Sequence, residues 1–84
     1  MYQISFKRSA AKELKKLPQN VTDRIIEAIE ELVENPRPQG YRKIVGSENL
    51  FRIRIGQYRV IYSIEDKELI IMIITVRHRK DAYR

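Results

Sequence analysis

Arginines set inside alternating apolar runs are the residues of this chain best suited to chemistry, because a guanidinium offers a planar donor fork that matches phosphate oxygens. In Phe51-Arg52-Ile53-Arg54-Ile55 the strand period sends Arg52 and Arg54 to one side and the three apolar residues to the other. A two-residue loop at Gly56-Gln57, which a leading glycine suits, returns the chain as Tyr58-Arg59-Val60-Ile61-Tyr62. Ile55 then pairs with Tyr58, and Arg54 lies opposite Arg59. Like charges directly opposed across two strands are destabilising, and arginine cannot shed its proton to escape. An anionic partner completes such a surface. The segment Arg77-His78-Arg79-Lys80-Asp81-Ala82-Tyr83-Arg84 adds further positive charge, an imidazole and a phenol.

Binding RNA needs only positive charge, whereas cutting it needs groups arranged around one phosphate. The 2′-hydroxyl must lose a proton and attack in line, the phosphorane must be stabilised, and the leaving 5′-oxygen must gain a proton. Arg52, Arg54, Arg59 and Arg79 suit the middle role, each such donor being worth roughly 3 kcal/mol in comparable sites. Arginine is a poor general acid, since its pKa exceeds about 12. Proton transfer therefore falls to His78, Tyr83, Lys43, Lys80 or a group of the substrate complex. Neighbouring cations lower a phenol from its reference pKa near ~10, which makes Tyr83 a candidate base. His78 is the sole histidine, so a two-histidine acid/base pair is impossible. Carboxylates are scarce here, Asp81 being the only one after Glu68, and the expectation is no metal and no cofactor. Cleavage is accordingly expected to survive excess EDTA at constant ionic strength, which an end-mapping assay checks.

The elements that must carry these residues fit one domain over residues 1–84, and folding at this size buries only about 60 to 65% of the unfolded surface. The chain has no cysteine, so its 43% hydrophobic residues must supply the stability, as expected of a cytoplasmic protein. Met1 to Phe6 alternates like a strand and lacks a signal peptide's apolar run, and Leu69 to Ile74 is far short of the ~20 residues that span a bilayer. No membrane partner is expected. Net charge is +6, and residues 42–84 hold ten basic and five acidic side chains against seven and six in residues 1–41. Basic proteins also meet membranes and acidic proteins, but the arginine-rich half favours nucleic acid.

Ser9 is the expected N-cap of a helix carrying Ala10, Leu14 and Leu17 on one face, and Pro18 ends it. Asn20 to Glu34 repeats apolar residues at helical spacing, and Asn35-Pro36-Arg37-Pro38-Gln39-Gly40 stops it. Strands are expected at Arg42–Val45, Leu50–Ile55, Tyr58–Glu65 and Glu68–Val76, the last interior and covered on both sides because it is apolar at both parities. The fold class is α+β: a two-helix N-terminal hairpin packed on a mainly antiparallel sheet of four to five strands. Sequence leaves open whether Arg77 or Arg79 shares a face with Arg59.

The chain resembles the RelE/ParE superfamily of toxins from type II toxin-antitoxin pairs, and within it the RelE-like messenger-RNA endonucleases. The likeness runs through Ile4-Ser5-Phe6, Ala11-Lys12-Glu13-Leu14-Lys15-Lys16-Leu17, Asn35-Pro36, Leu50 to Ile55, Tyr58-Arg59-Val60-Ile61-Tyr62 and Val76 to Tyr83. It implies a small toxin that enters the ribosomal A site and cleaves translated mRNA without a metal. By position, Arg52 and Arg54 match strand residues that grip or activate the substrate. Arg59 and Arg79 match arginines that stabilise the transition state, and Tyr83 a tyrosine near the nucleophile. Lys43, Arg77, His78 and Lys80 complete the expected substrate-binding set. The best-known members carry lysines where this chain has Arg52 and Arg54. A cognate acidic antitoxin is expected to cover the basic face, with operator DNA bound only through that complex. The alternatives are a ParE-like inhibitor of DNA gyrase without nuclease activity and a noncatalytic RNA-binding module.

Overall fold

The computed structural model describes residues 1–80. In chain order it comprises β1 (Gln3–Phe6), α1 (Arg8–Lys15), α2 (Gln19–Glu31), β2 (Arg42–Lys43), β3 (Leu50–Ile55), β4 (Tyr58–Glu65) and β5 (Ile70–His78). The five strands form one sheet in the order β1-β5-β4-β3-β2, with β1 parallel to β5 and the remaining pairs antiparallel. The expected α+β arrangement is therefore present, with five strands.

Local boundaries differ from the sequence reading where tertiary pairing overrides local signals. Lys7, not Ser9, is the N-cap of α1, because the Lys7 N–H still bonds Ile73 O (2.9 Å) and the chain leaves the sheet there. Pro18 caps α2, which ends at Glu31 rather than Glu34. Just beyond, the Tyr2 N–H takes Val33 O (3.0 Å), and Pro36 disfavours helix before it. β2 stops at Lys43, since Ile44 to Gly46 turn with Gly46 at φ +86°. β5 begins at Ile70, because Leu69 adopts the left-handed φ of 57° that closes the preceding turn, and it runs on to His78 opposite Tyr58.

Ala10 and Leu14 of α1 and Ile25 and Ile29 of α2, with Leu32 just past it, pack on Phe51, Ile53, Val60, Tyr62, Ile64, Ile71, Ile73 and Val76. Both helices thus cover a single face of the sheet. The expectation that β5 is covered on both sides is corrected accordingly. It is interior to the sheet, yet Ile70, Met72 and Ile74 are only half-buried because the described residues supply no third layer to cover them.

The pairing also slips within β5: Ile61 lies opposite Thr75 and Tyr62 opposite Ile73, so Ile74 is the extra residue of a bulge. Strict alternation from Ile73 would turn Arg77 toward the helices. The bulge reverses the parity, so that Val76 enters the core and Arg77 lies opposite Arg59 on the open face.

Tyr62, fully buried, donates its hydroxyl to Pro36 O (2.8 Å) and so ties the helix-to-sheet connection to the core. Burial pushes this phenol up to about 12. A pKa raised on folding contributes stability that is complete below the unfolded value near 10 and is lost as pH climbs toward about 12. Tyr62→Phe is therefore expected to cost about 1 kcal/mol at neutral pH through the lost hydrogen bond. The deficit should shrink and reverse above pH ~10, where the wild type alone carries this penalty. Urea denaturation of both proteins at neutral and strongly alkaline pH measures the crossing.

At the opposite end, Asp66 in the β4–β5 turn accepts from the Tyr2 hydroxyl (2.6 Å) and from Arg37 (3.1 Å). Those two bonds hold its carboxyl below the usual carboxylate range, the Tyr2 bond contributing more. The clasp lies just past the end of β4 that is away from Arg59.

Candidate functional site: an arginine recess on the open face

Strand register decides which cations meet. Arg54 on β3 is directly opposite Arg59 on β4, and Arg59 is directly opposite Arg77 on β5, so one row across the open face is arginine on three successive strands. The next row holds Arg42 opposite Arg52, followed by Ile61 and Thr75. The hairpin that aligns the first row closes at Gly56-Gln57, where φ is positive at Gly56 (59°) and not at Gln57, the type II′ pattern that matches strand twist. Beyond β5 the Arg79 N–H bonds Gln57 O (2.6 Å), which fixes the backbone of Arg79 beside that turn.

Arg54, Arg59 and Arg79 line a recess of about 50 Å³ together with Gly56, Gln57 and Tyr58. Among the described residues none of this lining is acidic. Arg59 forms its floor at 8% exposure, while Arg54 stands in solvent at its rim. Guanidinium groups gathered this way, partly shielded from water, set up a strong positive potential, and they cannot relieve it by deprotonation. Such a recess accepts a tetrahedral anion and stabilises charge that develops on its oxygens.

The remaining expected site residues are dispersed. Arg77 shares the row, but its Nε–H donates to Glu13 of α1 (2.8 Å), so its charge is compensated at the sheet edge. His78 lies on the helix side, its ring edge-on to Tyr58 (5.2 Å between centroids), with Nδ1 accepting the Lys80 N–H (3.2 Å). It borders a groove of about 430 Å³ lined also by Glu13, Lys16, Leu17 and Val76, away from the arginine recess. Lys43 is opposite Phe51, hence on the other parity from Arg42, and lines a separate depression with Ile44 to Glu48. Lys80 is exposed at the end of the described chain, and Tyr83 lies outside the described residues. Arg52 keeps its expected side of the sheet, one row from the recess.

Arg42 escaped the sequence reading. Its place beside Arg52 depends on the register of a two-residue edge strand across the connection from Ile44 to Asn49, which no local pattern specifies. Among the described residues no three His, Cys, Asp or Glu side chains gather as metal ligands would. No helix of the described residues is long and apolar enough to cross a membrane.

Residues 4–83 match the family described as the ParE toxin of type II toxin-antitoxin systems. Toxin RelG of Mycobacterium tuberculosis is 33% identical over 87 residues, covering 99% of this chain and 97% of that protein. The mRNA interferase toxin RelE of Escherichia coli is 28% identical over 86 residues, covering 98% and 90%. The crystal structure of the archaeal RelE-RelB complex from Pyrococcus horikoshii superposes with a TM-score of 0.83 at 31% identity, over 93% of this chain and 94% of that one. Two helices on one face of a five-stranded sheet, an open face crossed by arginines, and a family match over nearly the whole length lead to one assignment: the chain belongs to the RelE/ParE superfamily of toxins of type II toxin-antitoxin systems.

Proposed function

We propose that the chain is a single-domain cytoplasmic toxin that cleaves translated mRNA in the ribosomal A site by attack of a 2′-hydroxyl on its own phosphate, with no metal. The observation that carries this reading is the recess of Arg54, Arg59 and Arg79, in which cations converge with no lining carboxylate among the described residues. Arg59 and Arg79 stabilise the phosphorane, and Arg54 holds the phosphate as it enters. Arg52 and Arg42 extend the positive track along the strand of RNA. Since arginines do not exchange protons near neutrality, the base is Tyr83 or a group of the ribosomal complex, which accounts for a requirement for the ribosome.

Its inhibitor on this reading is a cognate antitoxin whose acidic segment covers the basic face, and the pair together binds operator DNA. A relative from Pyrococcus horikoshii was crystallised as a RelE-RelB complex, which supports such a partner. The match to a ParE-toxin family supports a second reading, inhibition of DNA gyrase without cleavage. Mapping message ends after brief induction, beside a gyrase supercoiling assay, separates the two. Cuts inside translated codons that vanish in Arg79→Ala are the expected result. Gyrase inhibition with no cuts would eliminate the nuclease.

A further inference from the structure

We infer that the cleft between α2 and the β3–β4 turn is a nucleobase subsite, an inference that rests on reading the arginine recess as a phosphate site. The cleft, of about 240 Å³, is lined by Val21, Arg24, Ile55, Gly56, Gln57 and Tyr58. Val21, Ile55 and Tyr58 are half-buried, while Arg24 and Gln57 stand in solvent, so an apolar floor lies under a polar mouth. A flat heterocycle suits such a lining, because its faces are apolar and its edge atoms donate and accept hydrogen bonds.

The position of the cleft beside the recess identifies the ligand. Gly56, Gln57 and Tyr58 line both hollows, so the turn is their common wall. Arg54 and Arg59 project from the open side of that wall, and Ile55 and Tyr58, paired on the opposite parity, project from the helix side. The wall is a single backbone thick. In a nucleotide the base hangs one sugar away from its phosphate, so a phosphate held by Arg54 and Arg79 lets its own base pass over the turn into the cleft. Arg24 stands at the mouth. A Cβ on Gly56 would lie 3.4 and 3.6 Å from the two terminal nitrogens of the Arg24 guanidinium, so the bare glycine gives this cation its place against the turn. Among the described residues Arg24 has no carboxylate partner, and the neighbouring Asp23 accepts from Gln19 instead (2.7 Å). Its donors are left for acceptor atoms on the edge of a base.

Two ligands with the same phosphate isolate the base: 2′-deoxyadenosine 5′-monophosphate and 2-deoxyribose 5-phosphate. Each is titrated into the full-length protein by NMR, with the amides of Arg54 and Arg79 reporting the recess and the methyls of Val21 and Ile55 the cleft. Both ligands are expected to move the recess signals. Only the nucleotide should move the cleft methyls, and it should bind about 10-fold tighter than the sugar phosphate, as stacking on one base provides. Arg24→Gln and the cleft-filling Val21→Phe should each cut that advantage to under about 3-fold. The ratio is insensitive to the lost charge, because both ligands carry the same phosphate, and a variant that still binds the sugar phosphate is folded. Unmoved cleft methyls, equal affinities for the two ligands, or an undiminished advantage in Arg24→Gln would each overturn the inference. Recess signals that neither ligand moves would remove the phosphate site and the inference with it. A wild type that makes no cuts in ribosome-bound message defeats the nuclease reading alone, and the titrations, which need no cleavage, still decide on the cleft.

Discussion

Arg79→Ala is expected to lower the cleavage rate on ribosome-bound message by about 10²–10³, the range observed when one preorganised donor to a developing oxyanion is removed. Its backbone is pinned to Gln57 and its side chain stands in solvent, so nothing in the core depends on that guanidinium. Surface truncations of this kind stay within about 0.5 kcal/mol in stability. The melting temperature should therefore hold while the activity disappears. Arg79→Lys restores the charge without the planar fork and should recover only part of the rate. A wild-type rate in Arg79→Ala, measured by single-turnover end mapping, would remove Arg79 from the chemistry.

The second large effect falls on Arg59 and is far larger in activity than in stability. Arg59 is 8% exposed, with Arg54 directly opposite on one side and Arg77 on the other, and its side chain has a partner within the fold. Removing one member of a buried polar contact costs stability, because the other member is left unsatisfied. Arg59→Met, which keeps an unbranched stem, is expected to lose about 1 kcal/mol, a fall of about 4–8 °C in a domain of this size. The same substitution empties the floor of the recess and should cost about 10²–10³ in cleavage rate. Thermal denaturation and end mapping on one preparation test both halves. A wild-type cleavage rate in a folded Arg59→Met would remove Arg59 from the chemistry.

Much of this site is local in origin and was legible as such. The alternation of Phe51 to Ile55, the glycine-led turn and the return through Tyr58 place Arg54 against Arg59, and the pairing found is the one that pattern predicts. The family likeness, the helix pair and the mainly antiparallel sheet were equally legible, because helical spacing and strand alternation are written into neighbouring residues. The helix and strand ends were less so. Ser9 would cap a helix that was free to begin there, and Lys7 does so because β1 pairing holds the chain until that point. Likewise the both-sided apolar character of Leu69 to Ile74 suggested a third layer, where the chain supplies a bulge and a half-covered face.

By itself the sequence determined that Arg52 and Arg54 share one side of their strand and that Arg54 opposes Arg59, since both follow from a period of two and a two-residue turn. Tertiary structure alone decided that Arg77 joins their row, that Glu13 compensates it, that Arg79 closes the recess, and that His78 and Lys43 fall elsewhere. The reason is that one extra residue at Ile74 inverts the facing of everything after it, and its cost is balanced only by pairing and packing between segments distant along the chain.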